Sequence, residues 1–259
     1  MLFSTPVDFS EAINARKVKA ILPTSLSSEQ LAEIEPQILE RSLFSARTTS
    51  AEYLQSVGDQ LDEILSDKTD FATARLELKK RLGELGYAPE AGKEDTIKDL
   101  SSDKRLNLVL KTNTNMARGY GQWMQANDPD VLDQFPAQEL YRLEARKVPR
   151  DWIDRWMEAG GQLYDGRMIA PVNDPIWTAI STFGEPYPPF DYGSGMWTRL
   201  IGREESVDLG VVTDGQMIPA KDHGLNDLIG IQMRGLQGAI LKSLMDFGYS
   251  VENGILSLA

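Results

Sequence analysis

The chain has 259 residues, with 27 basic and 39 acidic side chains, a net charge of −12, and no cysteine. The absence of cysteine excludes disulfides, thiolate nucleophiles, and zinc–thiolate or iron–sulfur sites, and it fits a reducing cytosol. The acidic excess is spread along the chain without a basic stripe, so we expect no strong nucleic-acid binding. The apolar runs are short, so the sequence predicts neither a signal peptide nor a transmembrane helix.

The N-terminal part is predicted to be helical. Residues 9–21 form a short amphipathic pattern, and Ser27 has the capping-box spacing that opens a second helix. The same spacing at Thr49 predicts the start of a third helix. Asp70 is placed to cap a fourth, and Gly86 occupies the position where a left-handed glycine ends it.

The central part begins with a long predicted helix at residues 104–125 and then becomes rich in proline and aromatic residues. A second helix is predicted at 149–159 and a strand at 141–147. Asp165-Gly166 is a hairpin turn signal before a further predicted strand at 168–170.

The C-terminal part is predicted to hold helices at residues 203–209 and 225–247. Together the elements predict a mainly helical α+β fold, in which a helical N-terminal part precedes an irregular, aromatic-rich domain with a few short strands. The predicted divisions are a helical region at 1–95, a core domain at 96–210 and a helical extension at 211–259.

The titratable residues show no reactive constellation. His223 is the only histidine, so neither a zinc site with two histidines nor a cysteine–histidine pair is possible, and no serine lies in a nucleophile elbow for a triad. Gly193-Ser194-Gly195 lacks the third glycine and the lysine of a phosphate-binding loop, which favours an ordinary tight turn. We therefore expect no catalytic residue, no cofactor and no metal site.

Two groups of acidic residues have structural interpretations. Residues 127–133, NDPDVLD, lack the glycine and the closing glutamate of an EF-hand, which favours a capped turn entering a short helix. Asp151 with Asp154, and Glu204 with Glu205, fall near predicted helix N-termini, where the helix dipole stabilises them without catalysis. A hydrolase built on two carboxylates brought together in space stays open as a rival.

Two aromatic features indicate packing or docking. Trp152 and Trp156 are four residues apart on one predicted helix and share a face, which could stack a base or a sugar but is more typical of a core or an obligate interface. Residues 186–195, PYPPFDYGSG, have the composition of an exposed loop. This loop either docks a partner through rigid proline backbone and aromatic side chains, or wraps back over its own domain.

Four stretches occur in a defined order along the chain. They are FSEAINARKVKAILPT at residues 9–24, RSLFSARTTSAEYLQSV at 41–57, LVLKTNTNMARGYGQWMQ at 108–125, and DPIW at 174–177 followed by PPFDYGSGM at 188–196. In this order and spacing they resemble segments of the Mu-type head morphogenesis family, the minor head proteins of tailed phages and prophages. The third stretch resembles that family's T-N-x-x-x-A…G-x-W helix.

The resemblance implies a non-enzymatic protein made in the host cytoplasm and incorporated inside the head near the portal, with the portal protein or the major capsid protein as partner. It implies a role in head assembly, DNA packaging or delivery; a transient scaffold absent from the mature particle is the alternative. The chain lacks the histidines and the C-R-C-like triplet of many members, so no metal role is carried over. The positions expected to have structural or docking roles are Asn113, Trp123, Trp152, Trp156, Trp177, Pro188, Pro189, Asp191 and Gly193.

Overall fold

The computed structural model describes residues 10–17, 19–21, 23–25, 42–43, 45–221, 231–232, 245, 249–252 and 255–258. The fold is mainly helical α+β, which confirms the predicted fold class. The helix predicted to begin at Ser27, and His223, lie outside the described residues. Among the described residues, every helix is too short or too polar to cross a bilayer.

The chain divides into two compact units. The first unit comprises Met1–Asp8, Ile13–Leu110 and Gly224–Ala259, and the second comprises Phe9–Ala12 and Lys111–His223. The predicted divisions at 1–95, 96–210 and 211–259 stay predictions.

The described part of the chain contains eight helices. They are α1 (Ser10–Lys17), α2 (Ala51–Leu65), α3 (Phe71–Glu84), α4 (Asp103–Ala126), α5 (Pro129–Gln134), α6 (Trp152–Glu158), α7 (Ile176–Ala179) and α8 (Arg203–Asp208).

The strands of the described residues form three small sheets. They are β1 (Ala20–Ile21), β2 (Ser42–Leu43), β3 (Ala137–Arg142), β4 (Leu163–Tyr164), β5 (Arg167–Pro171), β6 (Met196–Ile201), β7 (Ile231–Gln232), β8 (Tyr249–Glu252) and β9 (Ile255–Leu258). β1 and β2 pair in parallel, whereas the other two sheets are antiparallel, in the orders β4-β5-β3-β6 and β7-β9-β8.

In the first unit, helices α2 and α3 pack against the start of α4. Their apolar residues recur at steps of three and four, so one face of each helix is buried, and the core includes Val57, Leu61, Leu78, Leu82 and Leu106. This packing is the main source of stability for helices of such length.

Local signals fix the ends of these helices. Asp70 caps α3 by accepting from the backbone N–H groups of Ala72 and Thr73 at 2.7 and 3.0 Å, as predicted. Gly86 ends it with a φ of +74°, also as predicted. The predicted cap at Thr49 is wrong by one residue, because Ser50 accepts from the N–H of Tyr53 and caps α2.

The connector between α3 and α4 is organised by one buried carboxylate. Asp99 accepts from the backbone N–H groups of Asp95 and Ser101, from the Ser101 hydroxyl, and from the hydroxyl of Tyr87. Burial acts to raise the pKa of Asp99, but these donors outweigh it and hold that pKa below its usual value. The polar, proline-containing connector is therefore an ordered loop.

The four-stranded sheet is the centre of the second unit. β3 pairs with β6 along its whole length and with β5 through residues 137–140, and both of these neighbours lie later in the sequence. The turn at Asp165-Gly166 joins β4 to β5 with positive φ at both residues, 51° and 73°, which confirms the predicted hairpin.

The observed strands differ from the prediction in three places. The strand expected at 141–147 lies earlier, at Ala137–Arg142. The first four residues of the observed strand are all buried, so they lack the alternation of apolar and polar residues that marks a strand in the sequence. β6 has no counterpart in the sequence prediction. The extension expected to be helical contains strands β7, β8 and β9, and β7 interrupts the predicted helix at 225–247.

Candidate functional site

Three aromatic side chains from distant parts of the sequence meet in the second unit. The rings of Trp156 and Trp177 are 5.2 Å apart at an angle of 61°, and Phe190 stacks on Trp177 at 6.0 Å. All three side chains are fully buried. The indole N–H of Trp156 donates to the carbonyl of Gln162, and that of Trp177 to the carbonyl of Pro171, both at 2.8 Å.

Trp152 is buried in the same cluster, so Trp152 and Trp156 present one face of α6 to the core. The two tryptophans therefore fill the interior of their own unit, which was one of the two uses expected of them. Gly161 lies directly against the ring of Trp156, where a Cβ atom would have no room.

A second aromatic group lies on the long helix α4. The ring of Tyr187 makes an edge contact with Tyr120 at 5.6 Å and lies 6.3 Å from Trp123. On the same helix Gly119 abuts the carbonyl group of Pro188, because a Cβ atom built there would be 3.0 Å from the carbonyl carbon and closer still to the oxygen. The residues that resemble the family's helix signature thus pack against those that resemble its closing segment.

The proline-rich loop wraps back over its own domain. Tyr187, Pro188, Pro189 and Phe190 are all buried, and a cis peptide bond joins the two prolines. Two roles were left open for residues 186–195, docking a partner or packing on their own domain. These four residues pack on their own unit. Exposed surface begins only at Tyr192 and Gly193.

Three arginines hold the glycine-containing end of this loop. The guanidinium of Arg150 donates through both terminal nitrogens to the carbonyl of Tyr192, each at 3.1 Å. Arg146 donates to the carbonyl of Gly193 at 2.7 Å, and Arg142 to that of Ser194 at 3.4 Å. Since arginines occupy three consecutive carbonyl groups, residues 193–195 are a bound turn, and nothing in their contacts corresponds to a phosphate loop.

Asp191 ties the same loop to helix α6. Its side chain is only 14% exposed and accepts from the guanidinium of Arg155 at 3.1 Å, with Arg150 at 3.6 Å. Arg155 also lies over the ring of Trp152, 4.8 Å from its centroid. Asp191 is therefore a positioning residue that joins the loop to the tryptophan cluster.

Exposed apolar side chains lie in the arginine-held loop and in the segment, residues 142–150, that holds it. Tyr192 is 45% exposed, Leu143 is 56% exposed and Val148 is 87% exposed. The backbone N–H groups of Leu143 and Glu144 donate to the carbonyl of Gly195, so the segment after β3 lies against the loop. Solvent-exposed apolar residues next to fixed backbone are a feature of interaction surfaces.

A separate network on the four-stranded sheet is built from charges. One carboxylate oxygen of Glu139, on β3, accepts from the guanidinium groups of Arg167 and Arg199 at 2.6 to 3.1 Å. Arg167 also donates to Glu205 at 2.6 Å. Burial acts to raise the pKa of Glu139. The two arginines lower that pKa by more than burial raises it, so they keep the carboxylate ionised.

The network around Glu139 has the composition of a structural ion-pair array. A general acid in a carboxylate hydrolase needs a raised pKa, whereas the pKa of Glu139 is lowered. Arg167 stands between Glu139 and Glu205 and neutralises both. These contacts supply neither the protonated partner nor the space for water that paired-carboxylate chemistry requires.

The other acidic candidates have capping roles. Asp128 accepts from the N–H groups of Asp130 and Val131 at the start of α5, which confirms the capped turn predicted for residues 127–133. Asp151 caps α6 in the same way, through the N–H groups of Ile153 and Asp154. Within the ranges that the structure describes, no group of three histidine, cysteine or acidic side chains is placed to hold a metal ion.

The predicted site residues therefore converge in one unit, with different exposures. Trp123, Trp152, Trp156, Trp177, Pro188 and Pro189 are buried, Asp191 is mostly buried, and Gly193 is exposed. Asn113 is half-buried on α4, and its expected structural or docking role stays a prediction.

The sequence prediction missed the arginines that hold the loop. Arg142, the last residue of β3, is followed at steps of four or five residues by Arg146, Arg150 and Arg155. That spacing was the available signal, but it does not indicate which carbonyl groups the arginines reach.

No family model, no curated protein and no solved structure matches this chain.

Proposed function

We propose that this chain is a structural minor head protein of a tailed phage or prophage. In this proposal it is made in the host cytoplasm, docks on the portal protein or on the inner face of the major capsid protein, and aids head assembly, DNA packaging or DNA delivery. It acts through binding and has no catalytic residue.

One observation supports the proposal most strongly. Two of the four stretches that resemble the family, the third and the closing one, lie far apart in sequence but pack directly against each other in the second unit. Gly119 abuts Pro188, and within the closing stretch Phe190 stacks on Trp177. These contacts join the two stretches into one packed arrangement, which fits a role in architecture and docking instead of chemistry.

Electrostatics adds a constraint on how such a protein is held. A net charge of −12 opposes contact with densely packed DNA. Its place in a filled head must then come from protein–protein contacts, and the exposed apolar side chains beside the arginine-held loop offer a surface for them.

The test is to count this chain against the portal subunit and the major capsid protein by quantitative mass spectrometry of purified procapsids and mature particles. We expect a few copies per particle, and loss of the chain from heads assembled without the portal gene. Presence in procapsids but absence from mature particles would instead identify a transient scaffold. Absence from both would refute the proposal and favour the rival, a hydrolase built on two carboxylates other than the paired Glu139 and Glu205.

A further inference from the structure

Tyr192 is an exposed aromatic side chain on an immobilised backbone. Its N–H donates to the Asp191 carboxylate at 2.7 Å, and its carbonyl accepts twice from Arg150. Its ring meets that of Phe183 edge-on, with centroids 4.8 Å apart. An aromatic residue fixed in this way loses little entropy on binding, which is the property of an interface anchor.

Cations hold the backbone on which this anchor stands. Arg142, Arg146 and Arg150 reach the loop carbonyls on one side of Tyr192, and exposed Lys147 lies between the second and the third in sequence. We call these four residues, together with Leu143, Val148 and Tyr192, the arginine-framed surface.

Three acidic side chains lie near these cations, and all three are engaged: Asp151, which follows Arg150, caps α6, and the other two are ion-paired. Glu144 makes an ion pair with Arg146 at 2.9 Å, and Asp191 is mostly buried against Arg150 and Arg155. A guanidinium carries five N–H donors, so each of these arginines retains donors after its carbonyl contact. The arginine-framed surface is therefore locally positive on a chain whose net charge is −12.

We infer that the arginine-framed surface binds an acidic segment of a partner protein. An apolar side chain of that segment packs on Tyr192 and Val148, and its carboxylates pair with the surrounding guanidinium groups. This inference rests on the proposed docking function, because it names the surface and the chemistry of the partner.

The composition of the surface favours protein over nucleic acid. Val148 is 87% exposed and Leu143 is 56% exposed, and exposed aliphatic side chains have no counterpart on a phosphate backbone. Nucleic-acid binding at physiological salt needs many phosphate contacts, whereas here a few cations stand among apolar residues.

The test uses defined probes and the full-length chain. The probes are a fluorescent peptide of alternating glutamate and leucine, the same peptide with serine for leucine, the same peptide with lysine for glutamate, and a DNA duplex. Binding is followed by fluorescence anisotropy at low and at physiological salt. We expect the glutamate–leucine peptide to bind most tightly and its affinity to fall as salt rises.

The variants are chosen to leave the loop intact. Tyr192→Ala keeps the carbonyl that Arg150 holds, and it should weaken peptide binding about fivefold or more. Lys147→Glu changes an exposed side chain and should weaken binding roughly two- to fivefold. The matched controls, Met217→Ala and Lys98→Glu, change exposed residues elsewhere and should stay within about twofold of the unaltered chain.

Several results would overturn the inference. They are no binding of the acidic peptide, equal binding by variants and controls, and tighter binding of the DNA duplex than of the acidic peptide. The particle count described above is independent of this assay. If the chain is present in heads but its Tyr192→Ala variant binds the peptide normally, the proposed function stands and the proposed binding surface is refuted. If the chain is absent from heads but Tyr192→Ala weakens peptide binding, the surface stands and the proposed function is refuted.

Discussion

The close approach of α4 to the proline loop predicts that Gly119→Ala destabilises the second unit. A Cβ atom at position 119 would lie 3.0 Å from the carbonyl carbon of Pro188 and inside contact distance of its oxygen. Ordinary contacts between carbon atoms are about 3.5–4.0 Å. Both partners are main chain, so no side-chain rotation relieves the overlap, and the helix or the buried loop must move.

The expected magnitude follows from two opposing effects. Overpacking of this kind costs about 1–3 kcal/mol. Replacing glycine by alanine within a helix recovers about 1 kcal/mol. Since the overlap is with fixed backbone, we take the upper part of the first range and expect a net loss of about 2 kcal/mol in the free energy of unfolding.

Gly83→Ala is the matched control. Gly83 is also a helical glycine, but a Cβ atom there would meet nothing within 4 Å. The same substitution should therefore stabilise the first unit by about 0.5–1 kcal/mol. The two variants change identical atoms and are expected to shift stability in opposite directions.

Urea unfolding followed by two signals separates the units. All five tryptophans lie between residues 123 and 197, so their fluorescence reports on the second unit, whereas far-ultraviolet circular dichroism reports on both. We expect Gly119→Ala to shift the fluorescence transition to lower urea. A Gly119→Ala protein as stable as the unaltered chain, or stabilised as much as Gly83→Ala, would refute the placement of Pro188 against α4.

Three further outcomes follow from charged side chains. Glu139→Gln should lose about 2 kcal/mol near neutral pH, because two guanidinium groups lose an ionised acceptor. The folded-state pKa of Glu139 is lowered, so this loss of stability should be full above about pH 4.3 and should vanish as the pH falls through the folded-state pKa. A stability difference between the variant and the unaltered chain that is as large in acid as at neutral pH would contradict this prediction. Asp99→Ala should cost about 2 kcal/mol by leaving its buried donors unpaired, measured as a shift of the dichroism transition. Asp128→Ala should cost about 1 kcal/mol as a lost helix cap, measured by tryptophan fluorescence, and no change would remove its capping role.

Sequence prediction succeeded where the determining interaction is local. Asp70 and Asp128 bond to N–H groups two and three residues ahead, so their roles follow from the order of residues alone. The same holds for the Asp165-Gly166 turn, whose two positive φ angles are set by the residues themselves. The misplacement of the α2 cap at Thr49 instead of Ser50 reflects two adjacent residues with the same capping chemistry.

Prediction failed where the determining contacts are distant in sequence. β6 is paired with β3, which lies some sixty residues earlier, and this long-range partner is not readable from its own short sequence. The strands in the C-terminal part flank an Asn-Gly pair, which is a hairpin signal that the helical pattern before it obscured. The arginine contacts with residues 192–194 were equally out of reach, because they depend on which loop lies beside β3.

Burial divides the candidate site into residues that shape it and residues that meet a partner. Trp177, Pro188 and Pro189 have no surface to offer, so a variant at any of them changes docking only by changing the fold. Asp191 acts in the same indirect way, through the arginines that position the loop. Tyr192 is exposed on backbone that other residues hold, so it can be altered while the core stays intact. A loss of incorporation into heads therefore locates a partner only when it arises at an exposed position such as Tyr192 and leaves the unfolding transition unchanged.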